Sequence, residues 1–388
     1  MFLYLVMKHH HHEQIRFRSC GLYGKPSEDG LDLSTDVLVF LGPYVQLGSR
    51  RGMKFVIPLL VAITACYCAS IQSVFNSEWN LFKLEYGKNY ETAAEEEFRK
   101  QVFLENKYKI EKHNARYELG LSTYKLAINK FSDMLHDEYL KLHGSRRNKG
   151  QLGSQGSTFV TPENVNIPDE MDWRKLGAVT HVKDQGHCGS CYAFGAVGSL
   201  EGQQFRKTGN LTALSEQNIV DCGILSHYKT FACGGGFGVE VFKFIQYNGG
   251  IDTEESYPYV AYEQECMYNN KTIGARVTGH VDLPSGDEQK LKEAVAVIGP
   301  VNVAICVYAG MHKYSEGIYC EEGCGNDYDS LSHEVVVVGY GTDEETKLDY
   351  WLIKNSSGAE WGENGYIRIC RNKGNRCGVA TDAHYPLV

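Results

Sequence analysis

Four side chains in this chain could together cleave an acyl bond: Cys191, His333, Asn355 and Gln185. A thiol attacks a carbonyl as its thiolate, and Cys191 stands where a helical pattern begins, followed by apolar Val197, Leu200 and Phe205 and halted at Gly209. There the helix dipole and unpaired N–H groups would stabilise the negative sulfur. Such a nucleophile needs a base, and a His base needs a third group to hold its tautomer and ring orientation. His333 opens the apolar run Val335 to Val338, and Asn355 follows a second strand-like run, Tyr350 to Lys354. Gln185 lies across a glycine-containing turn from Cys191, where its amide could face the developing oxyanion. Plainer readings stand beside these. Cys188 and Cys191 could both be disulfide partners, and a lone His at a strand start is more often structural.

The elements that must position these residues occupy the second half of the chain. Upstream, from Ser77 to about Leu119, apolar residues recur at intervals of three and four: Trp79, Phe82 and Tyr86, then Phe98, Val102, Phe103 and Ile110. Two amphipathic helices are expected. Within the second, Glu95, Arg99, Phe103, Asn106, Ile110 and Asn114 fall on one connected face. Periodicity alone reads that face as a salt-bridged surface helix. Residues 144–158, rich in Gly, Ser and Lys/Arg, read as an exposed, cleavable linker.

The chain of 388 residues is 43% hydrophobic, enough for one large or two medium globular domains. Net charge is +2 over 1–70, +1 over 71–165 and −12 over 166–388. That acidic balance excludes nucleic acid as a partner, because phosphate binding needs clustered Lys and Arg. Ten cysteines fall in 166–388 and none in 71–165, the mark of an oxidised, secretory-pathway domain behind a cysteine-free segment. The C-x-x-C at 188–191 has no second copy to complete a zinc site, and the run His9 to His12 is read as incidental, so no metal or other cofactor is expected. Arg50, Arg51 and Lys54 precede the apolar run Phe55 to Cys66, and small residues follow, the layout of a signal peptide at 53–70. Its apolar run is well short of the roughly 20 residues that a bilayer needs, so no membrane anchor is expected. Residues 1–52 read as an upstream extension without structure.

Taken in order, these motifs resemble the papain family of cysteine proteases, and specifically its cathepsin L-like members in precursor form. The Glu95-to-Asn114 pattern and Ala127-x-Asn129-x-Phe131-x-Asp133 are similar to the two prodomain motifs, with Ala127 where the family usually has Gly. The segment Gln185 to Cys191 is followed by Cys233-Gly234-Gly235-Gly236, Ser332-His333, Gly339-Tyr340-Gly341, Lys354-Asn355-Ser356, Trp361-Gly362 and Gly365-Tyr366. The resemblance implies an α+β, papain-like two-lobed fold, with a helical lobe carrying Cys191 and an antiparallel, β-barrel-like lobe carrying His333 and Asn355. A helical inhibitory prodomain and linker at 71–165 would precede a peptidase domain at 166–388. It further implies Cys191 as nucleophile, His333 as general acid/base, Asn355 as orienting group and Gln185 as oxyanion donor. The enzyme would be a secreted or lysosomal endopeptidase acting on protein and peptide substrates, made as a zymogen that acid activates. Its own prodomain would be its intramolecular inhibitor, with cystatin-like inhibitors as further partners. A non-catalytic binding protein on the same fold is the alternative.

By position, the resemblance pairs Cys188 with Cys233, Cys222 with Cys266 and Cys324 with Cys377. Cys320 and Cys370 have no usual counterparts; a fourth bridge between them would leave Cys306 as a buried thiol in addition to Cys191. Three neighbours of the catalytic set depart from the family: Tyr192 and Ser357 each stand in place of Trp, and Ser332 in place of Asp or Asn. Without aromatic cover at 357, water should reach the His333–Asn355 bond and weaken it. Gly235 and Gly236 would line the cleft, as would Trp361. The second specificity pocket would be formed by Phe237, Gly238, Ala304, Leu331, Glu334 and Asp382, two of them acidic. If both carboxylates face inward they should titrate as a coupled pair and accept Arg or Lys as well as large apolar residues, Arg increasingly as pH rises. Asn210 and Asn270 lie in sequons on polar, turn-like stretches and are the expected glycosylation sites.

Overall fold

The computed structural model describes residues 73–143 and 156–388, apart from His227, Lys229 and Ala309. The expected extension, signal peptide and most of the linker lie outside the described residues. The chain forms two compact units, 1–88 and 89–388. In the first, helix α1 (73–85) carries Trp79 stacked on Phe82 at 5.5 Å, and Phe82 lies 5.2 Å from Tyr86, the ladder that spacing of three and four creates.

In the second unit, α2 (Ala93–Glu118) starts at Thr92, whose hydroxyl accepts from the Glu95 N–H at 3.1 Å. Its buried residues are Val102, Phe103, Asn106 and Ile110, so the face that periodicity reads as a solvated one is in fact packed. Asn106 donates to the carbonyls of Ser132 and Met134, and Asn114 exchanges two bonds with Leu126 in β1 (Tyr124–Leu126). A short helix, α3 (His136–His143), follows. Ser157 and Thr158, expected to be linker, form β2 instead and pair in parallel with β6 (Gly279–Asp282), because Phe159 just beyond them is buried against Tyr385.

Helix α4 (Cys191–Thr208) ends as expected at Gly209 (φ +76°). With α5 (Glu216–Gly223) and α6 (Gly238–Asn248) it forms one lobe, cored by Val197, Leu200, Ile219, Phe242 and Ile245. The other lobe holds α7 (Glu288–Val297) and β7 (Val301–Ile305), β8 (Tyr314–Tyr319), β9 (His333–Thr342), β10 (Asp349–Lys354), β11 (Tyr366–Cys370) and β12 (Ala383–Leu387). The main path of its sheet is β1-β8-β11-β10-β9-β7-β12-β6-β2. Pairing is antiparallel except β8–β11 and β2–β6. Short amino-terminal strands thus cover both edges of the sheet. β9 is buried on both faces: Val335 and Val337 enter the main core while Val336 and Val338 pack with Leu352 and Tyr366, which is why its sequence is continuously apolar.

All four expected bridges form: Cys188–Cys233, Cys222–Cys266, Cys320–Cys370 and Cys324–Cys377. Cys306 is a buried thiol whose N–H donates to the Cys377 carbonyl, and burial pushes its pKa up, which makes it a poor nucleophile.

Candidate active site

Cys191 is the first residue of α4 and is fully buried. Ser190 before it does not cap the helix; its hydroxyl bonds Tyr259 at 2.6 Å. β9 crosses α4 one turn beyond Cys191, and glycines make the crossing close. A Cβ on Gly195 would lie 3.3 Å from Glu334 Cβ and Val335 N, and one on Gly198 would lie 2.8 Å from Val336 Cγ2. This contact carries His333, the first residue of β9, to the nucleophile end of the helix. His333 Nε2 is 2.8 Å from Asn355 Oδ1, at the end of the neighbouring strand β10. Asn355 Nδ2 donates to Ser357 Oγ at 3.1 Å. Both Asn355 and Ser357 are buried, so the sequon Asn355-Ser356-Ser357 is closed to a glycan, and the His333–Asn355 bond is shielded without a Trp at 357. The cover comes from the amino-terminal segment: Tyr139 of α3 is buried with its hydroxyl against Ser357.

Gln185 is held beside this set from both ends. Its Nε2 donates to the Cys188 carbonyl at 2.9 Å, and its Oε1 accepts from Ser356 Oγ at 2.7 Å. The rigid amide keeps a second N–H for an oxyanion.

A buried charge network fastens these segments, and it escaped the sequence reading. Lys183 Nζ contacts Glu216 at 2.7 Å and Glu201 at 3.0 Å; Thr180 donates to Glu201 at 2.6 Å, and Lys354 donates to Thr180 at 2.9 Å. Burial disfavours charge on Lys183, but Glu201 and Glu216 outweigh it and hold the ammonium protonated. Burial pushes Lys354 down and Glu216 up. Lys183 sits two residues before Gln185, Lys354 immediately before Asn355, and Glu201 on the Cys191 helix, so one network braces three parts of the site. The available signal was Lys354, a charge that closes the run Tyr350 to Ile353.

On the other side of Cys191, Tyr192 is buried and donates to the Ala232 carbonyl at 3.0 Å. A Cβ on Gly236 would come within 2.7 Å of that ring, and Gly235 has φ +106°, so each glycine is required by its own position as well as by any substrate. Phe237, Ala304 and Leu331, expected to line a pocket, are each buried, and Ala304 pairs with Glu334 across β7 and β9. Of the two acidic residues Glu334 is buried and Asp382 partly so, each with its own partner. Glu334 receives the Gly238 N–H at 2.9 and 3.0 Å, at the start of α6, and Asn302 Nδ2 at 3.2 Å. Asp382 and Asp282 each lie 2.6 Å from His384. Burial opposes charge on His384, yet Asp382 and Asp282 raise its pKa to about 10, so it stays cationic and neutralises Asp382 across the physiological range. Trp361 is buried on the opposite, Ser357 side, where it donates to the His312 carbonyl at 3.1 Å.

Comparison with known proteins agrees with this geometry. The papain family cysteine protease model matches residues 167–387, and the cathepsin propeptide inhibitor domain model matches 79–139. The chain is 48% identical over 344 residues to a cathepsin L-like peptidase of Aedes aegypti, covering 87% of this chain and all of that protein. It is 49% identical to cathepsin L of Sarcophaga peregrina over the same length and coverage. A digestive procathepsin L 3 from the larval midgut of Tenebrio molitor superposes with TM-score 0.74 at 40% identity, covering 81% of this chain and 99% of that one. Family, fold and site together make this chain a member of the papain family of cysteine proteases, a cathepsin L-like precursor that carries its own propeptide inhibitor domain.

Proposed function

We propose that the enzyme is a secreted or lysosomal endopeptidase in which Cys191 attacks, His333 moves the proton, Asn355 orients His333, and Gln185 stabilises the oxyanion. The supporting observation is the 2.8 Å His333–Asn355 bond delivered by β9 across the open end of the Cys191 helix. The Cys191 thiolate adds to the scissile carbonyl, whose oxygen becomes an oxyanion facing the Gln185 amide. Collapse breaks the C–N bond as imidazolium His333 protonates the leaving amine. His333 then takes a proton from water, whose oxygen displaces Cys191 and releases the acid. Cys191 should be labelled covalently by an epoxide or vinyl-sulfone peptide after acid treatment. A precursor that processes yet takes no label would favour the binding-protein alternative.

Acid activation is supported by the prodomain's ion pairs. Arg99 contacts Glu138 at 2.7 Å. Burial works to raise the Glu138 pKa, but the Arg99 bond prevails and lowers it. A depressed carboxylate contributes stability above its unfolded pKa and loses it as pH falls through the folded one. His136 adds to this: burial lowers its pKa, with Asp137 opposing and Lys313 reinforcing, so acid favours the unfolded segment, which binds the proton more readily. Glu138 and His136 are thus the acid-sensitive groups of the segment, and Glu95 reaches the same Arg99 only at 3.9 Å. Processing should leave an amino terminus near Asn164 to Pro168.

For specificity, Phe237, Ala304 and Leu331 favour a large apolar residue two positions before the scissile bond. Glu334, bonded by the Gly238 N–H and the Asn302 amide, is the carboxylate that supports acceptance of Arg or Lys as well. Because His384 remains protonated, that acceptance should be level with pH, in place of the rise expected from an isolated carboxylate pair. Exposed Asn210 and Asn270 are the glycan acceptors. Cystatin-like inhibitors are further partners for the cleft after the prodomain leaves.

A further inference from the structure

Ser357 stands where the resemblance to the papain family implies Trp, and another segment packs there. Tyr139 is 2% exposed. Its ring stacks on His312 at 5.1 Å and meets Phe131 edge-on at 5.1 Å. Its hydroxyl lies against Ser357, whose Oγ accepts from Asn355 Nδ2, and Asn355 Oδ1 lies 2.8 Å from His333 Nε2. The phenol is therefore the last member of a chain of polar contacts that starts at the general acid/base. Tyr139 and Phe131 belong to the propeptide inhibitor segment, whereas His312, Ser357 and Trp361 belong to the peptidase. When the propeptide leaves, these three remain around a site of aromatic size, with Trp361 holding the His312 carbonyl at 3.1 Å.

The reacting chemistry says which part of a substrate reaches this site. The acyl half stays on Cys191, while the leaving amine must face His333 to collect its proton. The side chain attached to that amine then lies over the Asn355–Ser357 side of His333. We propose that the mature enzyme has a subsite, formed by Ser357, His312 and Trp361, that takes an aromatic side chain immediately after the scissile bond, tyrosine ahead of phenylalanine, and that Tyr139 occupies it in the precursor. A ring gains stacking on His312. The hydroxyl gains the bond to Ser357, and a buried polar group left unmatched discriminates against the ring that lacks it. This inference rests on the assignment of His333 as proton donor to the leaving amine.

The test uses mature enzyme and internally quenched peptides that differ only at the residue after the scissile bond: Tyr, Phe, Leu or Ala. For the wild type, kcat/KM with Tyr should exceed that with Ala by roughly tenfold and that with Phe by about threefold. Ser357→Ala should erase the gap between Tyr and Phe but keep both above Ala. Ser357→Trp should fill the site and bring Tyr down to Ala. Tyr139→Ala can be combined with Ser357→Trp if the large ring prevents the precursor from folding, and wild type against Ser357→Ala is decisive alone. Equal rates for Tyr and Ala in the wild type, or an unchanged Tyr preference in Ser357→Ala, would overturn the subsite. Turnover of the Ala peptide reports separately on the catalytic assignment, so failure of one is distinguishable from failure of the other.

Discussion

The two sides of the cleft satisfy their polar groups by different means. On the acyl side the peptidase is self-sufficient: Glu334 is engaged by Gly238 and Asn302, and Asp382 by His384. On the leaving-group side Ser357 is met, and the His312 ring covered, by Tyr139, a residue of the propeptide. A side that completes itself keeps its geometry through maturation. One completed by the propeptide changes its surface when that segment leaves, which couples inhibition to the opening of a binding site.

This contrast can be broken or sharpened by substitution. The largest effect should come from Cys191→Ser, which removes the nucleophile with little change in volume; hydrolysis should fall by at least ~10³-fold while the fold persists. Appreciable turnover would end the assignment, and the inert precursor is the background in which the two sides are best compared. Lys183→Met should come next, since Glu201 and Glu216 would lose their shared cation; a loss of about 3–5 kcal/mol by denaturant unfolding is expected on breaking a buried pair.

Ser357→Trp and Glu334→Ala then address the comparison directly. Ser357→Trp should destabilise the precursor by about 1–3 kcal/mol through collision with Tyr139 while leaving mature enzyme nearly unaffected. Glu334→Ala should cost about 1–3 kcal/mol in both forms alike, because Gly238 N–H and Asn302 lose an acceptor that belongs to the peptidase itself. Equal effects of Ser357→Trp in both forms would erase the contrast. The smallest effect is expected of Glu138→Gln, which removes a partly exposed ion pair worth under about 1 kcal/mol. Self-processing followed by gel at graded pH should begin about half a unit higher than in the wild type, and an unmoved threshold would place the acid sensor elsewhere.

Much of the site was legible because its chemistry is local. A cysteine before a helical run, a histidine before four valines and an asparagine closing a strand announce themselves within a few residues. Three bridges followed from resemblance and the fourth from two cysteines without usual counterparts, and all formed. The interspersed face of α2 was found by spacing, yet its burial was not, since a polar face against solvent and one whose Asn106 bonds distant carbonyls share one periodicity.

The sequence alone named the proposed reacting groups and the order of the helices and strands that carry them, and its resemblance to the papain family marked the departure at Ser357. The tertiary structure decided what each charge and hydroxyl faces. Glu334 lies 96 residues from Gly238 and Lys313 lies 207 from Asn106, and no local pattern encodes a partner that far along the chain. Whether a buried carboxylate is an open site for a cation or a helix cap depends on which donors lie within hydrogen-bond reach, and only the packed chain supplies them.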